Sequence, residues 1–228
     1  MPVAKPLTYL SLNCVLKYTD PNIRLQLASV SPGVKSTEKL VPLKIDQLNI
    51  KETSFTINNT NYNLGVIRHY ADVTKAPKWV LESNKAGGTS SDAGEFGEPI
   101  TRECQRLTMK DRAPTDEESL LKFEHYLQLT ITSKNGTKVI ERMKYDRAIK
   151  EAMDYFIKKF LLGNRANLNV LTVRFDSIPE IGDFRFRSKH LKIGDVDPVR
   201  AQNSLDEIGC PLESMELFGQ KFLMRPHF

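Results

Sequence analysis

The chain has 228 residues, 40% hydrophobic and 27% charged, which is globular composition with length for one large or two small domains. Its net charge of +5 arises from 33 basic and 28 acidic residues with the signs interspersed, which argues for a mixed solvated surface and against a basic nucleic-acid stripe. A bilayer-crossing apolar run, a secretory design in Met1 to Lys5 and a cysteine framework are all missing, since Cys14, Cys104 and Cys210 stand far apart, so a reducing cytosol or nucleus and no membrane are expected.

Residues 5 to 41 carry Leu7, Leu10, Val15, Leu16, Leu25, Leu27 and Val30, broken at Asp20-Pro21 and closed by Ser31-Pro32-Gly33. This reads as short helices joined by tight turns, with Asp20 as a cap and Pro21 at the first helical position, where a missing N–H costs nothing. From Leu40 to Ala71 the period becomes two, in Leu43-x-Ile45, Leu48-x-Ile50, Phe55-x-Ile57 and Tyr62-x-Leu64-x-Val66, with a turn over Asn58 to Asn61. A strand pair or meander is predicted. Residues 83–99 hold Gly87-Gly88, Ser90-Ser91, Gly94 and Gly97 with few apolar side chains, and are predicted to be a flexible loop.

A hairpin follows in Leu127-x-Leu129-x-Ile131 and Val139-Ile140, with positive φ expected at both positions of the Asn135-Gly136 turn. Asp146 is the expected cap of an amphipathic helix bearing Ile149, Met153, Phe156, Ile157 and Phe160, ended by Gly163. The tail repeats weakly, as Leu168-x-x-Leu171-x-Val173, Leu191-x-Ile193 and Leu212-x-x-Met215-x-Leu217, at leucine-rich-repeat spacing. Each repeat would supply one strand buried by its neighbours.

Catalytic and ligand-binding patterns are weak throughout. His69, His125, His190 and His227 are isolated, with no H-E-x-x-H, so no metal is expected. No phosphate-cradling glycine motif occurs, and no cofactor is expected. Cys104 between Arg102 and Arg106, the adjacent acids Glu117-Glu118, and Phe184-Arg185-Phe186-Arg187 each have a plainer reading as loop, solvated helix start and half-buried strand. The chain is not expected to be an enzyme or to bind nucleic acid.

Pro6-Leu7, Val15-Leu16, Asp20-Pro21, and Leu25-Gln26-Leu27 with Val30-Ser31 resemble an F-box, a short helical module. Thr19 and Arg24 stand where leucines are usual. With Glu38 to Ile45, Leu64 to Tyr70 and Ala148 to Phe160, the whole chain resembles a nematode-expanded family of unknown function with a degenerate F-box-like start. The resemblance implies a cullin-ligase adaptor as partner, held by Pro6, Leu7, Leu10, Val15, Leu16, Pro21, Leu25 and Leu27, and an unidentified target protein held elsewhere. The function expected is substrate receptor of a cullin-type ubiquitin ligase; the alternative is a direct binder that sequesters or neutralises a partner without ubiquitination.

The predicted fold class is α+β: an F-box-like helical region over residues 1–41, a central α+β region over 42–163 with an antiparallel sheet and one long helix, and leucine-rich-repeat-like strands over 164–228.

Overall fold

The computed structural model describes residues 8–93, 99–100, 123–162, 168–182, 185–206, 210–217 and 220–223. The fold is mixed α+β, and the chain forms two compact units, Met1–Thr60 with Asp154–Phe228, and Asn61–Met153.

The first unit opens with α1 (Tyr9–Tyr18), α2 (Pro21–Val30) and α3 (Pro32–Leu40). Thr8 caps α1 through Ser11 N–H, and Asp20 Oδ1 accepts from Asn22 N–H at 2.8 Å and Ile23 N–H at 3.4 Å, while Pro21 and Pro32 begin their helices without a donor to lose. The strands are β1 (Leu43–Ile50) and β2 (Ser54–Ile57), which pair antiparallel, followed by others from the end of the chain.

The sequence leads to an antiparallel sheet here, but the other edge of β1 is taken in parallel by β8 (Leu168–Phe175). β9 (Arg187–Ile193) and β10 (Ser214–Leu217) add to the ladder in parallel, and β11 (Gln220–Leu223) closes it antiparallel to β10. The sheet is therefore mixed: local hairpin geometry sets the β1–β2 pair, whereas the β1–β8 pair joins segments far apart in sequence, which alternation alone cannot match.

Within the ladder the buried positions share a broken phase. Leu43, Ile45, Leu48 and Ile50 of β1 are matched by Leu168, Val170, Val173 and Phe175 of β8, and each strand exposes two consecutive or nearly consecutive residues in its middle. At the break in β1, Asn58, at φ 52°, accepts both Asp46 N–H at 3.0 Å and Gln47 N–H at 3.1 Å on its Oδ1. Two apolar rows run straight across the parallel strands, Leu48–Val173–Leu191–Met215 and Ile50–Phe175–Ile193–Leu217. Leu171 faces solvent, so Val173 and not Leu171 is the residue of the first repeat that stands level with Leu191 and Met215.

The second unit contains β3 (Thr60–Tyr70, from Asn61 onward), α4 (Lys78–Ala86), β4 (Asp92–Ala93), β5 (Pro99–Ile100), β6 (Phe123–Thr132) and β7 (Lys138–Lys144). β3 pairs antiparallel with β6, and β6 with β7. The hairpin between β6 and β7 forms as expected, except that only Gly136 has positive φ, at 81°. Gly136 N–H returns to the Ser133 carbonyl and Ser133 N–H to the Thr137 carbonyl, both at 2.9 Å, so a type I turn followed by a glycine bulge replaces the tighter two-residue turn.

Residues 83–93 are not the loop that their glycines suggest. Ser83–Ala86 end α4, Gly87 at φ 115° closes the helix, and Thr89 exchanges backbone hydrogen bonds with Val66, both at 2.9 Å. The glycines are there because β3 and the α4 terminus approach too closely for a Cβ. Of the expected loop, residues 94–98 lie outside the described residues.

α5 (Ile149–Ile157) spans the division between the units and continues as a π turn over Lys158–Leu162. Ile149, Met153, Phe156 and Ile157 are buried, as their spacing predicts, with Ala152 beside them, whereas Phe160 in the π turn is half-buried. The expected cap is corrected: the Asp146 carboxylate is held by the Arg147 guanidinium at 2.8 and 3.2 Å, and Asp92 Oδ1 accepts the Ile149 N–H at 2.7 Å. Gly163 lies outside the described residues.

Asp92 also accepts from the Tyr145 hydroxyl at 2.7 Å, and that oxygen accepts from Ala93 N–H at 3.3 Å. Burial first, and the Asp92 hydrogen bond second, push the Tyr145 hydroxyl up to about 12. An ordinary tyrosine ionises near pH 10, so from there to about 12 the unfolded chain has released a proton that the folded chain retains, and stability falls as pH rises through that window. Unfolding followed at pH 9 to 12 should show this loss in the native chain and a weaker one in Tyr145→Phe; equal slopes would contradict it.

Candidate protein-binding surface

The first three helices divide their apolar residues into an inward and an outward set. Leu16, Pro21, Leu25 and Val41 are buried, whereas Leu10 is 74% exposed, Tyr18 83% and Val30 74%. In α2 the spacing explains the division: Pro21, Arg24, Leu25 and Ala28 turn inward, while Ile23, Leu27 and Val30 recur at i, i+4 and i+7 as a separate exposed stripe. In α1, Leu10, Cys14 and Tyr18 recur at steps of four and are all exposed, with Val15 beside them.

Arg24 is what makes α2 two-sided. Its side chain is 2% exposed and its Nη2 lies 3.0 Å from Glu38 Oε1, itself 1% exposed. The same guanidinium donates to the carbonyls of Glu38 at 3.2 Å, Val41 at 2.9 Å and Pro42 at 2.9 Å. These include carbonyls that the end of α3 leaves without helical partners, so one planar fork closes α3 and neutralises a buried acid together. Asn22 completes the seat of α2 by donating to the Ile57 carbonyl at 3.2 Å.

Of the residues assigned to adaptor binding, Leu10, Val15 and Leu27 are exposed, and Leu16, Pro21 and Leu25 belong to the core. Pro6 and Leu7 lie outside the described residues. The expectation that Leu16, Pro21 and Leu25 face an adaptor is corrected by their burial, since a helix gives one apolar stripe to its own core. Tyr18, Ile23 and Val30, which are exposed, were not among the residues assigned to adaptor binding, although the i, i+4, i+7 spacing of Ile23, Leu27 and Val30 was there to be read.

The second unit has a small cleft lined by Val66, Arg68, Trp79, Asn84, Thr89 and His125. The Arg68 guanidinium lies 4.9 Å from the centroid of Trp79 and 5.6 Å from that of Phe123. Asn84 accepts from Arg68 N–H at 3.2 Å and donates to its carbonyl at 2.7 Å, which fixes α4 on β3. Gln128, fully buried, donates to the Asn84 carbonyl at 3.0 Å and accepts from Arg142 Nε at 3.1 Å.

Among the described residues no group of three or more His, Cys, Asp or Glu could hold a metal ion. His69 and His125 instead pack against the rings of Tyr126 and Phe123, and His190 Nδ1 lies 2.9 Å from Ser214 Oγ. Cys104, Glu117, Glu118, Phe184 and His227 lie outside the described residues. No described helix is long and apolar enough to cross a membrane. No family model, curated protein or solved structure matches the chain.

Proposed function

We propose that the chain is a protein-binding module that uses its N-terminal helices as a substrate receptor does, docking on the small adaptor of a cullin-type ubiquitin ligase and leaving the rest to hold a target protein. The observation that carries this reading is the Ile23, Leu27 and Val30 stripe, which remains exposed on a helix whose other side is fully seated. Helix stripes of this kind are what a partner groove accepts, and exposed apolar residues grouped along helices are more informative than scattered ones. The resemblance of residues 6–31 to an F-box supplies the identity of the partner. Arg24 is compatible with it, because the cation lies inside and leaves the outer stripe apolar.

Titration with purified adaptor tests the proposal. The native chain should bind saturably, and Ile23→Asp with Leu27→Asp should weaken binding by more than about 30-fold, the scale of a lost interface hot spot. Circular dichroism should stay native, since both positions are exposed; Leu16→Asp or Leu25→Asp would instead disrupt the core and reveal nothing about docking. Absence of adaptor binding by the folded chain, beside a tight complex with another protein, would replace this reading with direct sequestration.

A further inference from the structure

The hairpin strand β7 ends the β3–β6–β7 order, so among the described residues its outer edge has no strand neighbour. Its sequence is Lys-Val-Ile-Glu-Arg-Met-Lys, and Val139 and Ile140, its second and third residues, are 41% and 48% exposed. The Ser133–Thr137 closure fixes which backbone groups are available. Counting from it along the Thr132–Lys138 register, Val139, Glu141 and Met143 turn their N–H and C=O toward β6, while Lys138, Ile140, Arg142 and Lys144 turn theirs outward.

The same four outward residues share one face by alternation, so that face reads cation, apolar, cation, cation. Lys134 in the adjoining turn adds another cation, and none of Lys134, Lys138 and Lys144 makes a close ion pair among the described residues. An edge strand with open hydrogen-bonding groups is a template for an added strand. We propose that β7 is a docking edge for an extended protein segment in which acidic and apolar residues alternate.

A second copy of the chain is a poor occupant. Antiparallel self-pairing about a two-fold axis sets one residue opposite itself. Centring on Glu141 opposes it to its own copy and Lys138 to Lys144; centring on Arg142 opposes guanidinium to guanidinium; centring on Ile140 opposes Lys138 to Arg142. Each of these registers sets like charges against each other, whereas carboxylates at alternate positions of a foreign strand meet Lys138, Arg142 and Lys144. The docking edge is separate from the helical stripes and does not depend on their role.

The probe is a fluorescein-labelled peptide, acetyl-Glu-Val-Glu-Val-Glu-Val-Glu-amide, compared by anisotropy with the peptide carrying Lys for every Glu, on the full chain. The acidic peptide should bind at least tenfold more tightly than the basic one. Ile140→Pro should reduce that binding at least tenfold, because it removes an outward N–H while leaving the hairpin bonds in place. Lys138→Glu with Lys144→Glu, at exposed positions that keep the fold, should do the same. The proposal is overturned by equal affinity for both peptides, by no saturable binding of either, by indifference to both variants, or by self-association of the chain that Ile140→Pro abolishes.

Discussion

Arg24→Leu is expected to destabilise the first unit by about 3–5 kcal/mol, the cost of removing one member of a buried ion pair. Glu38, 1% exposed, would lose the guanidinium that lies 3.0 Å from its Oε1, and the carbonyls of Glu38, Val41 and Pro42 would lose the same donor. A urea midpoint measured by helical ellipticity reads the effect. Arg24→Leu with Glu38→Leu should recover only part of it, because the apolar pair removes the buried carboxylate but does not restore the guanidinium bonds to the carbonyls of Glu38, Val41 and Pro42. Arg24→Lys should also fall short, since an ammonium cannot reach carbonyls and carboxylate in the planar arrangement that the guanidinium meets. A loss below about 1 kcal/mol, as for an exposed pair, would show that Arg24 does not hold this region together.

Gly65→Val is expected to lift the end of α4 off β3 at a cost of at least about 2–3 kcal/mol, the upper part of the range for overpacking. Gly65 has no positive φ, so the penalty is steric: a Cβ there would overlap the Gly87 carbonyl oxygen and crowd the Gly88 backbone. Neither neighbour can retreat easily, since Gly87 closes α4 in a left-handed conformation and Gly88 sits on the Val66 carbonyl. Trp79, the single tryptophan, lies on α4 over Arg68, so its fluorescence reports the displacement directly. Gly33→Ala, with open space around it in α3, is the control and should leave fluorescence unchanged and stability unchanged or slightly raised.

Much of the local structure was legible because local rules decide it. Asp20-Pro21 marks the start of α2, the alternation of Leu127, Leu129 and Ile131 marks β6, and Ile149, Met153, Phe156 and Ile157 mark one face of α5. Even the break in the alternation of β1 is visible as a skipped beat between Ile45 and Leu48. What stayed hidden depends on partners distant in sequence. Nothing near Leu43 announces Leu168, and nothing near Gly87-Gly88 announces that β3 will lie against it at Gly65.

The exposed helical stripes were half legible for a related reason. The sequence lists the apolar residues of the N-terminal segment, but such a list does not separate those that seat a helix from those left over. The separation needs phase, and Arg24 hides the phase of α2 because a cation stands in the inward stripe where an aliphatic residue is expected. Once Arg24 is counted as a core residue, Pro21, Leu25 and Ala28 align with it, and the outward stripe follows.

The parallel pair Leu43–Leu168 sets a timetable for the nascent chain. During synthesis at about 5–20 residues per second, β1 waits roughly 6–25 seconds for the strand that completes it. Through that interval β1 offers one open, strongly apolar edge to whatever else is close, while β2, its immediate successor, protects only the other. Slow codons or scarce chaperones would therefore harm this protein most while the ribosome is translating the segment between those two strands, and a truncated product ending before Leu168 would be prone to aggregate.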